Sequence, residues 1–418
     1  MKRYIQSIHI NKVRHLQDIE IDIPDDDHAH LLITGRNGSG KTSLLQAIRD
    51  HISNIQSRKD LYFLDYGDDI ANYKERLSNS IDPIEKIESE RMLHHYLEQY
   101  DTFYGRVKVT FDDLSRIISG PSKEPFIVAM YAADRNVQMT EPTNPTKPKL
   151  ESHWQITQSA SDQFLLYISD LKIQEALARN EQQYVEADSI KEWFDTFEEL
   201  LKEIFGDPEL KLSFNYKDYS FEISTASNSF KFTQLSDGFA AIIDIITDLI
   251  LKMSSVVGRT MMLYDVPGIV LIDEVETHLH LALQRQVLPL LTKVFPKIQF
   301  IVTTHSPFVL NSIPSATIFD LEHQQALTNL SDYSYEALTE GYFEVSTKSS
   351  YLEGQLNRLK VLLQKERLDI TEEFELKELV QEFSKVSEGA SPKIVGEFEA
   401  LKLKFQDKFG AVIGHDSN

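Results

Sequence analysis

Apolar and polar side chains alternate from the start of the chain. Ile5, Ile8 and Ile10, then Ile19, Ile21 and Ile23, predict two strands about a turn at residues 11–15. Pro24 and the acidic run Asp25-Asp26-Asp27 predict the next turn. The short apolar run Leu31-Leu32-Ile33 reads as a buried strand, and Leu44 to Ile48 as good helix-forming sequence. Residues 51–100 are polar and helical in pattern, broken at Pro83. Residues 104–111 alternate again, and Phe126 to Tyr131 form an apolar strand running into Ala132-Ala133-Asp134-Arg135. Residues 141–150, with three prolines, predict a surface loop. Residues 161–206 predict two helices ending at Gly206-Asp207-Pro208; Phe164, Leu165, Ile168 and Leu171, then Trp193, Phe194 and Phe197, recur at the spacing of a packed helical hairpin. A hairpin over 210–214 and 219–223 follows, then an amphipathic helix over 239–253, a buried strand over 269–272, a helix over 284–295 closed by Pro296, and a buried strand over 300–304. Strands alternating with helices predict an α/β fold, with a largely parallel sheet covered on both faces. From about residue 350 the chain is highly charged, with apolar residues spaced for three amphipathic helices broken near Asp369 and near Gly389-Ala390-Ser391-Pro392. That tail either covers the core or binds a partner.

Composition narrows the class. At 418 residues, 41% hydrophobic and 26% charged, the chain reads as a soluble globular protein with one large core or two modest ones. No apolar run reaches membrane-spanning length, and the first residues lack the apolar core of a signal peptide. The absence of cysteine excludes disulfides and cysteine-ligated metals and fits the cytoplasm. A net charge of −22 repels nucleic acid in bulk, which leaves room only for a local basic patch.

Chemistry concentrates in four segments. Gly35-Arg36-Asn37-Gly38-Ser39-Gly40-Lys41-Thr42 reads G-x-x-x-x-G-K-T, a phosphate-binding loop between a strand and a helix. Glycines let the backbone curl so that its N–H groups face phosphate oxygens, and the helix N-terminus adds its positive dipole end. Gly35, Asn37, Gly38, Ser39, Gly40, Lys41, Thr42 and the following Ser43 are the candidate nucleotide ligands. Lys41 is placed to reach the β- and γ-phosphates, and the Thr42 hydroxyl to ligate magnesium. A chance glycine-rich turn is the competing reading, and the flanking strand and helix weigh against it. Asp273 and Glu274 close an apolar strand, where open α/β sheets bind ligands. Asp273 is the candidate magnesium carboxylate and Glu274 the group that orients and polarises the attacking water. Thr303-Thr304-His305-Ser306-Pro307 ends the next apolar strand and brings His305 to the same edge, as a candidate contact to the γ-phosphate. Leu235-Ser236-Asp237-Gly238-Phe239 opens a helix, a second anion-binding arrangement best explained by a nucleotide on another copy.

This order of motifs resembles the ATP-binding-cassette (ABC) class of P-loop ATPases. Within it, the chain is similar to the soluble branch of chromosome-maintenance (SMC) ATPases, the ATPase half of overcoming-lysogenization-defect (OLD) nucleases, and the AAA-family ATPases of bacterial antiphage systems of the Septu and retron-associated type. The likeness spans roughly residues 1–320. It implies a mixed, largely parallel sheet with an antiparallel β subdomain, helical insertions at about 51–100 and 161–206, and a helical tail: an ATPase domain over 1–345 and a helical region over 346–418. It also implies ATP and Mg2+ as cofactors, Glu274 as catalytic base and His305 as switch histidine. Ser236 and Gly238 would contact the γ-phosphate of a nucleotide held by the opposite protomer, in a head-to-tail dimer or higher oligomer. Arg14 matches an arginine that this branch places near adenine and phosphates, and Gln138 is the positional candidate for the Q-loop glutamine at the metal. The chain departs from the pattern at Phe239, where Glu or Gln is common, and in Val275-Glu276-Thr277-His278-Leu279-His280-Leu281, where two prolines are missing. Glu276 through His280 should still form a loop that communicates across the dimer. His278 and His280 diverge on a helix and lack a third ligand, which argues against a metal site.

Two absences bear on function. No membrane segment is fused, and the 193 positions between Thr42 and Leu235 are filled by strands and helices, too few for long coiled-coil arms. The tail after His305 has no strand-borne Asp-x-Asp of a nuclease centre. An ATPase without an effector in cis points to one in trans. The leading expectation is therefore a cytoplasmic, ATP-hydrolysing subunit of a multi-protein antiphage complex that controls a separate effector such as a nuclease. The segment from Tyr333 to Phe343 resembles tails of such defence ATPases. The alternatives are a DNA-repair or chromosome-associated ATPase that clamps DNA, and a nucleotide-sensing scaffold with little hydrolysis.

Overall fold

The structure is a computed structural model describing residues 3–24, 29–57, 66–117, 125–134, 139–144, 146–151, 153–257, 265–327, 330, 350–365, 367–385, 392–406 and 408–409. The chain divides into two units, Met1–Tyr333 and Ser334–Asn418. In the first unit the strands are β1 (Ile5–Val13), β2 (Leu16–Asp22), β3 (His30–Thr34), β4 (Val107–Phe111), β5 (Ile127–Tyr131), β6 (Lys211–Asn215), β7 (Ser220–Ser224), β8 (Ser229–Lys231), β9 (Gly268–Ile272), β10 (Ile298–Thr303), β11 (Ala316–Asp320) and β12 (Gln325–Leu327). Its helices are α1 (Lys41–Gln56), α2 (Tyr66–Asn79), α3 (Pro83–Tyr104), α4 (Phe164–Asn180), α5 (Tyr184–Phe205), α6 (Asp237–Val257), α7 (Leu281–Val294) and the single turn α8 (Pro307–Leu310).

The central sheet runs β12-β11-β3-β10-β9-β5. Every pairing in it is parallel except that of the edge strand β12 with β11. Its inner strands β3, β9 and β10 are buried along their whole length, which is why they read as continuous apolar runs. Gly268 begins β9 because a Cβ there would lie 2.4 Å from the Ile127 carbonyl oxygen. A second, antiparallel sheet, β2-β1-β4, keeps the predicted alternation, with Ile8, Ile10, Ile19 and Ile21 inward. Gln299 joins the two sheets. Wholly buried in β10, it accepts from the Tyr4 and Ile5 amides and donates to the Ile5 and Ala29 carbonyls. All four of its hydrogen-bonding positions are thereby satisfied, as burial of a polar side chain requires.

The predicted turn at 11–15 contracts to Arg14-His15, because Lys12 and Val13 still pair with Gln17 and Leu16 in the ladder. The predicted hairpin gains a third strand, β8, giving the sheet β6-β7-β8. Strands β11 and β12 were not predicted. The turn at Asp25–Asp27, Arg135, the tail break up to Ser391 and the segment Tyr333–Phe343 lie outside the described residues.

Helix α6 is apolar almost all round and carries one buried ion pair, Asp248 with Lys252 at 2.8 Å. Tyr131, at the end of β5, donates its hydroxyl to Asp248 Oδ2 at 2.6 Å. The Ser159 hydroxyl and the Ala160 amide donate to Oδ1, and Lys252 reaches the Gln158 carbonyl. Such a pair is tolerated inside a protein only when its remaining hydrogen-bonding positions are met in this way.

In the second unit, α9 (Ser350–Gln364), α10 (Ile370–Ser384) and α11 (Pro392–Lys404) enclose their own core of Leu356, Leu359, Leu363, Leu376, Leu379, Phe383, Ile394 and Phe398. Asp369 caps α10 with a reciprocal Asp369–Glu372 capping box.

Two buried histidines make stability depend on pH. His30 Nδ1 accepts from the Phe300 amide, and burial lowers the ring to about 4. The His51 ring packs against Phe103 at a 54° tilt, centroids 4.9 Å apart, and is likewise lowered by burial to about 4, against a hydrogen bond donated to the Phe103 backbone. The unfolded chain takes up these protons first, so the stabilisation is complete above pH 6.5 and is lost as pH falls towards 4. It amounts to roughly 3 kcal/mol for each ring. Denaturant midpoints measured from pH 7 to pH 4.5 are expected to fall, and His51→Phe to fall less steeply. Identical slopes for variant and parent contradict a neutral buried His51.

Candidate functional site

The register of the central sheet brings the site together. β10 lies between β3 and β9, with Thr303 opposite Ile33 and Val302 opposite Ile272. Three strands thus end level, and the segments that leave them carry the phosphate loop, Asp273-Glu274 and His305.

The loop after β3 turns through three glycines with positive φ: Gly35 at 133°, Gly38 at 86° and Gly40 at 99°. A Cβ on Gly35 would meet the Ser39 hydroxyl at 2.8 Å, and one on Gly40 would meet Leu16 Cδ1 at 3.0 Å. The second contact fixes the β1–β2 turn against the loop. Helix α1 begins at Lys41 with no side-chain cap and no acidic residue in its first turn, so its N-terminal dipole end is left for an anion. Lys41 is buried and donates to the Gly35 carbonyl at 2.8 Å and the Arg36 carbonyl at 3.2 Å. Burial holds its ammonium below the usual lysine value, opposed by the carboxylates of Glu274, Glu276, Asp273 and Asp320. The Ser39 Oγ is sealed from solvent with no partner among the described residues. A cation bonded only to carbonyls, an unpaired hydroxyl and an uncapped helix start fit the phosphate chain of a nucleotide.

Asp273 is the meeting point. Its Oδ1 accepts from the Thr303 hydroxyl at 2.6 Å and the Thr42 hydroxyl at 3.2 Å, and its amide donates to the Tyr131 carbonyl at 2.8 Å. A buried carboxylate beside a threonine hydroxyl is an oxygen donor set suited to Mg2+. The Glu274 amide donates to Thr303 Oγ1 at 2.8 Å, and Glu274 takes the left-handed φ of 43° as the chain leaves β9. His305 is half-buried; burial and the Lys41 charge lower its ring against the opposing pull of Glu274 and Asp273. Lys41 lies in the field of Asp273 and Glu274, and His305 in the field of all three.

The other predicted residues sit as follows. Thr42 lies partly buried beside Asp273, Ser43 is buried in the first turn of α1, and Asn37 is exposed on the loop. Arg14 is exposed at the tip of the β1–β2 turn, with a left-handed φ of 56°, next to the His15 and Leu16 that face Gly40. Ser236 is exposed just before α6, and Gly238 is buried in its first turn; a Cβ on Gly238 would lie 2.8 Å from the His278 carbonyl oxygen. Gln138 lies outside the described residues.

Sequence reasoning missed Asp320. It is fully buried at the end of β11, with Oδ1 3.4 Å from the position of a Gly35 Cβ, and it pairs with His323. Its strand, Ala316-Thr317-Ile318-Phe319-Asp320, is short and mixed, a weaker form of the apolar strand closed by a carboxylate that marked Asp273.

Residues 139–311 match a family model described as "AAA domain, putative AbiEii toxin, Type IV TA system", and residues 7–206 a model described as "AAA domain". Over 92% of its length the chain is 24% identical to the Septu protein PtuA of Bacillus mycoides (strain KBAB4), covering 51% of that protein. Over 22% of its length it is 42% identical to the retron Ec83 probable ATPase of Escherichia coli, covering 17% of it. The chain thus spans about half, or less, of the length of these curated relatives. A solved structure of the SmcHead bound to the C-winged helix domain of ScpA is similar at a TM-score of 0.38 and 13% identity, over 76% of this chain and 94% of that one.

The close contact at Gly40 yields a test that needs no ligand. Gly40→Ala combines a disfavoured φ with a displaced Leu16 and is expected to destabilise the chain by about 1–3 kcal/mol in chemical denaturation. Gly38→Ala, with nothing within 4 Å of the added carbon, is expected to cost less. Equal losses contradict the packing of the β1–β2 turn on the loop.

Proposed function

We propose, from the premise that the chain carries AAA-family ATPase domains, that it binds ATP with Mg2+ and hydrolyses it as one subunit of a multi-protein assembly. The observation that carries this reading is the cluster of Lys41, Thr42, Asp273, Glu274 and His305 where β3, β9 and β10 end level.

The chemistry follows from that geometry. Phosphate oxygens displace the Gly35 and Arg36 carbonyls as partners of Lys41, and the loop amides complete the cradle. Thr42 and Asp273 would hold the metal, which would supply charge neutralisation to the phosphates when bound. Glu274 accepts the proton of the attacking water, and His305 contacts the γ-phosphate. Ser236, Gly238 and the N-terminus of α6 serve the nucleotide of a second copy, so ATP holds two chains head to tail. Positioning and electrostatics supply most of what phosphoryl transfer requires.

The setting is antiphage defence, with a separate effector such as a nuclease. Support comes from similarity to a Septu protein and to a retron ATPase. The charge of −22 favours a protein partner over a nucleic acid clamp.

Glu274→Gln keeps the ligand contacts and removes the base. Nucleotide binding is expected to persist, a dimer to accumulate in ATP on size-exclusion chromatography, and turnover to fall by roughly 10²–10⁴-fold. In cells that carry the chain with its neighbouring genes, the same variant is expected to lose protection in a plaque assay. Turnover at the parent rate contradicts the base assignment, and full protection by a variant without turnover contradicts hydrolysis as the signal.

A further inference from the structure

Between Asp273-Glu274 and α7 the chain makes a tight loop that the proposed chemistry leaves largely unused. It bends through two residues other than glycine in the left-handed region, Glu274 at 43° and His278 at 67°. Backbone of that kind persists only where surrounding contacts over-determine it. The contacts run to the end of β10: the Val275 amide donates to the Thr303 carbonyl at 3.3 Å, and the Ser306 hydroxyl donates to Gln284 Oε1 at 2.7 Å.

Glu276 is the unexpected member of this set. Its Oε1 accepts a short hydrogen bond from the backbone amide of His305. Its Oε2 is sealed from solvent with no partner among the described residues. Burial pushes the carboxyl above the usual glutamate range, against the hydrogen bond from the His305 amide. A carboxyl group is a costly way to cap one amide, and this one caps the amide of the residue whose ring feels the Lys41 charge.

We propose that Glu276 is a positioning residue: by accepting the His305 amide it fixes the imidazole where the γ-phosphate must lie, and so governs turnover rather than nucleotide affinity. This rests on the reading of His305 as a γ-phosphate contact. The loop that carries Glu276 also meets α6, since the His278 carbonyl lies against Gly238. The imidazole is therefore set by the segment that the proposed second-copy contact would press upon.

Two conservative variants separate the acceptor from the charge. Glu276→Gln keeps an oxygen at the reach of Oε1 and loses the charge; Glu276→Asp keeps the charge and withdraws the oxygen by one methylene. In the full chain, steady-state ATPase assays are expected to give Glu276→Gln a kcat within about 3-fold of the parent, and Glu276→Asp a kcat lower by about 10–100-fold. Affinity for a fluorescent ATP analogue is expected to move less than about 3-fold in both, the mark of an interaction expressed in the transition state. Adding Glu276→Asp to His305→Ala is expected to cost nothing further, because both act through one group. Equal loss in the Gln and Asp variants, an Asp variant that turns over normally while His305→Ala is slow, or multiplying losses in the double variant overturns the role of Glu276. Normal turnover in His305→Ala instead overturns the reading of His305, and this inference with it.

Discussion

The structure depends on how one buried carboxylate is held. Asp273 emerges from a strand covered on both faces, and removing a charge from water costs several kcal/mol unless its lone pairs are met. Thr303 on the neighbouring strand and Thr42 in the first turn of α1 meet those of Oδ1, and both can do so only if β3, β10 and β9 end at the same height. The parallel register, the closure of the glycine loop and the position of Glu274, whose amide shares Thr303 Oγ1, are then one constraint seen from three sides. Lys41 completes it: a buried ammonium with four carboxylates in its field is tolerable without a ligand and well placed for an anion.

That constraint extends outward through polar links. The Asp273 amide bonds the Tyr131 carbonyl, the Tyr131 hydroxyl bonds Asp248, and Asp248 pairs with Lys252 inside α6. On the other side, Glu276 holds the amide of His305, and the His278 carbonyl abuts Gly238. Helix α6 thus meets the edge of the site by two routes, one through β5 and one through the loop after β9. At its first turn, Gly238 abuts the loop that carries Glu276.

Much of this was legible because it is local. The loop between Gly35 and Thr42 carries its own geometry in its glycines, and the apolar runs of β3, β9 and β10 announce strands buried on both faces. The pairing of Glu276 with the His305 amide was not legible, because 29 positions separate the two and no periodicity records such a contact. Strand β11 escaped for another reason: Ala316-Thr317-Ile318-Phe319-Asp320 is short and mixed, and only its place beside β3 makes Asp320 a neighbour of the phosphate loop. The turn after β1 was read too long because Lys12 is polar, yet Lys12 pairs across the ladder like its neighbours. Gln299 reads as a polar flaw in an apolar strand and is the residue that ties two sheets together.

An experimental structure of the chain with Mg2+ and a non-hydrolysable ATP analogue tests the central claim most directly. The account predicts the triphosphate wrapped by residues 35–42 with Lys41 turned from the loop carbonyls onto it, and the metal between Thr42 and Asp273. Density for the nucleotide anywhere else, or a metal held away from Asp273, contradicts it.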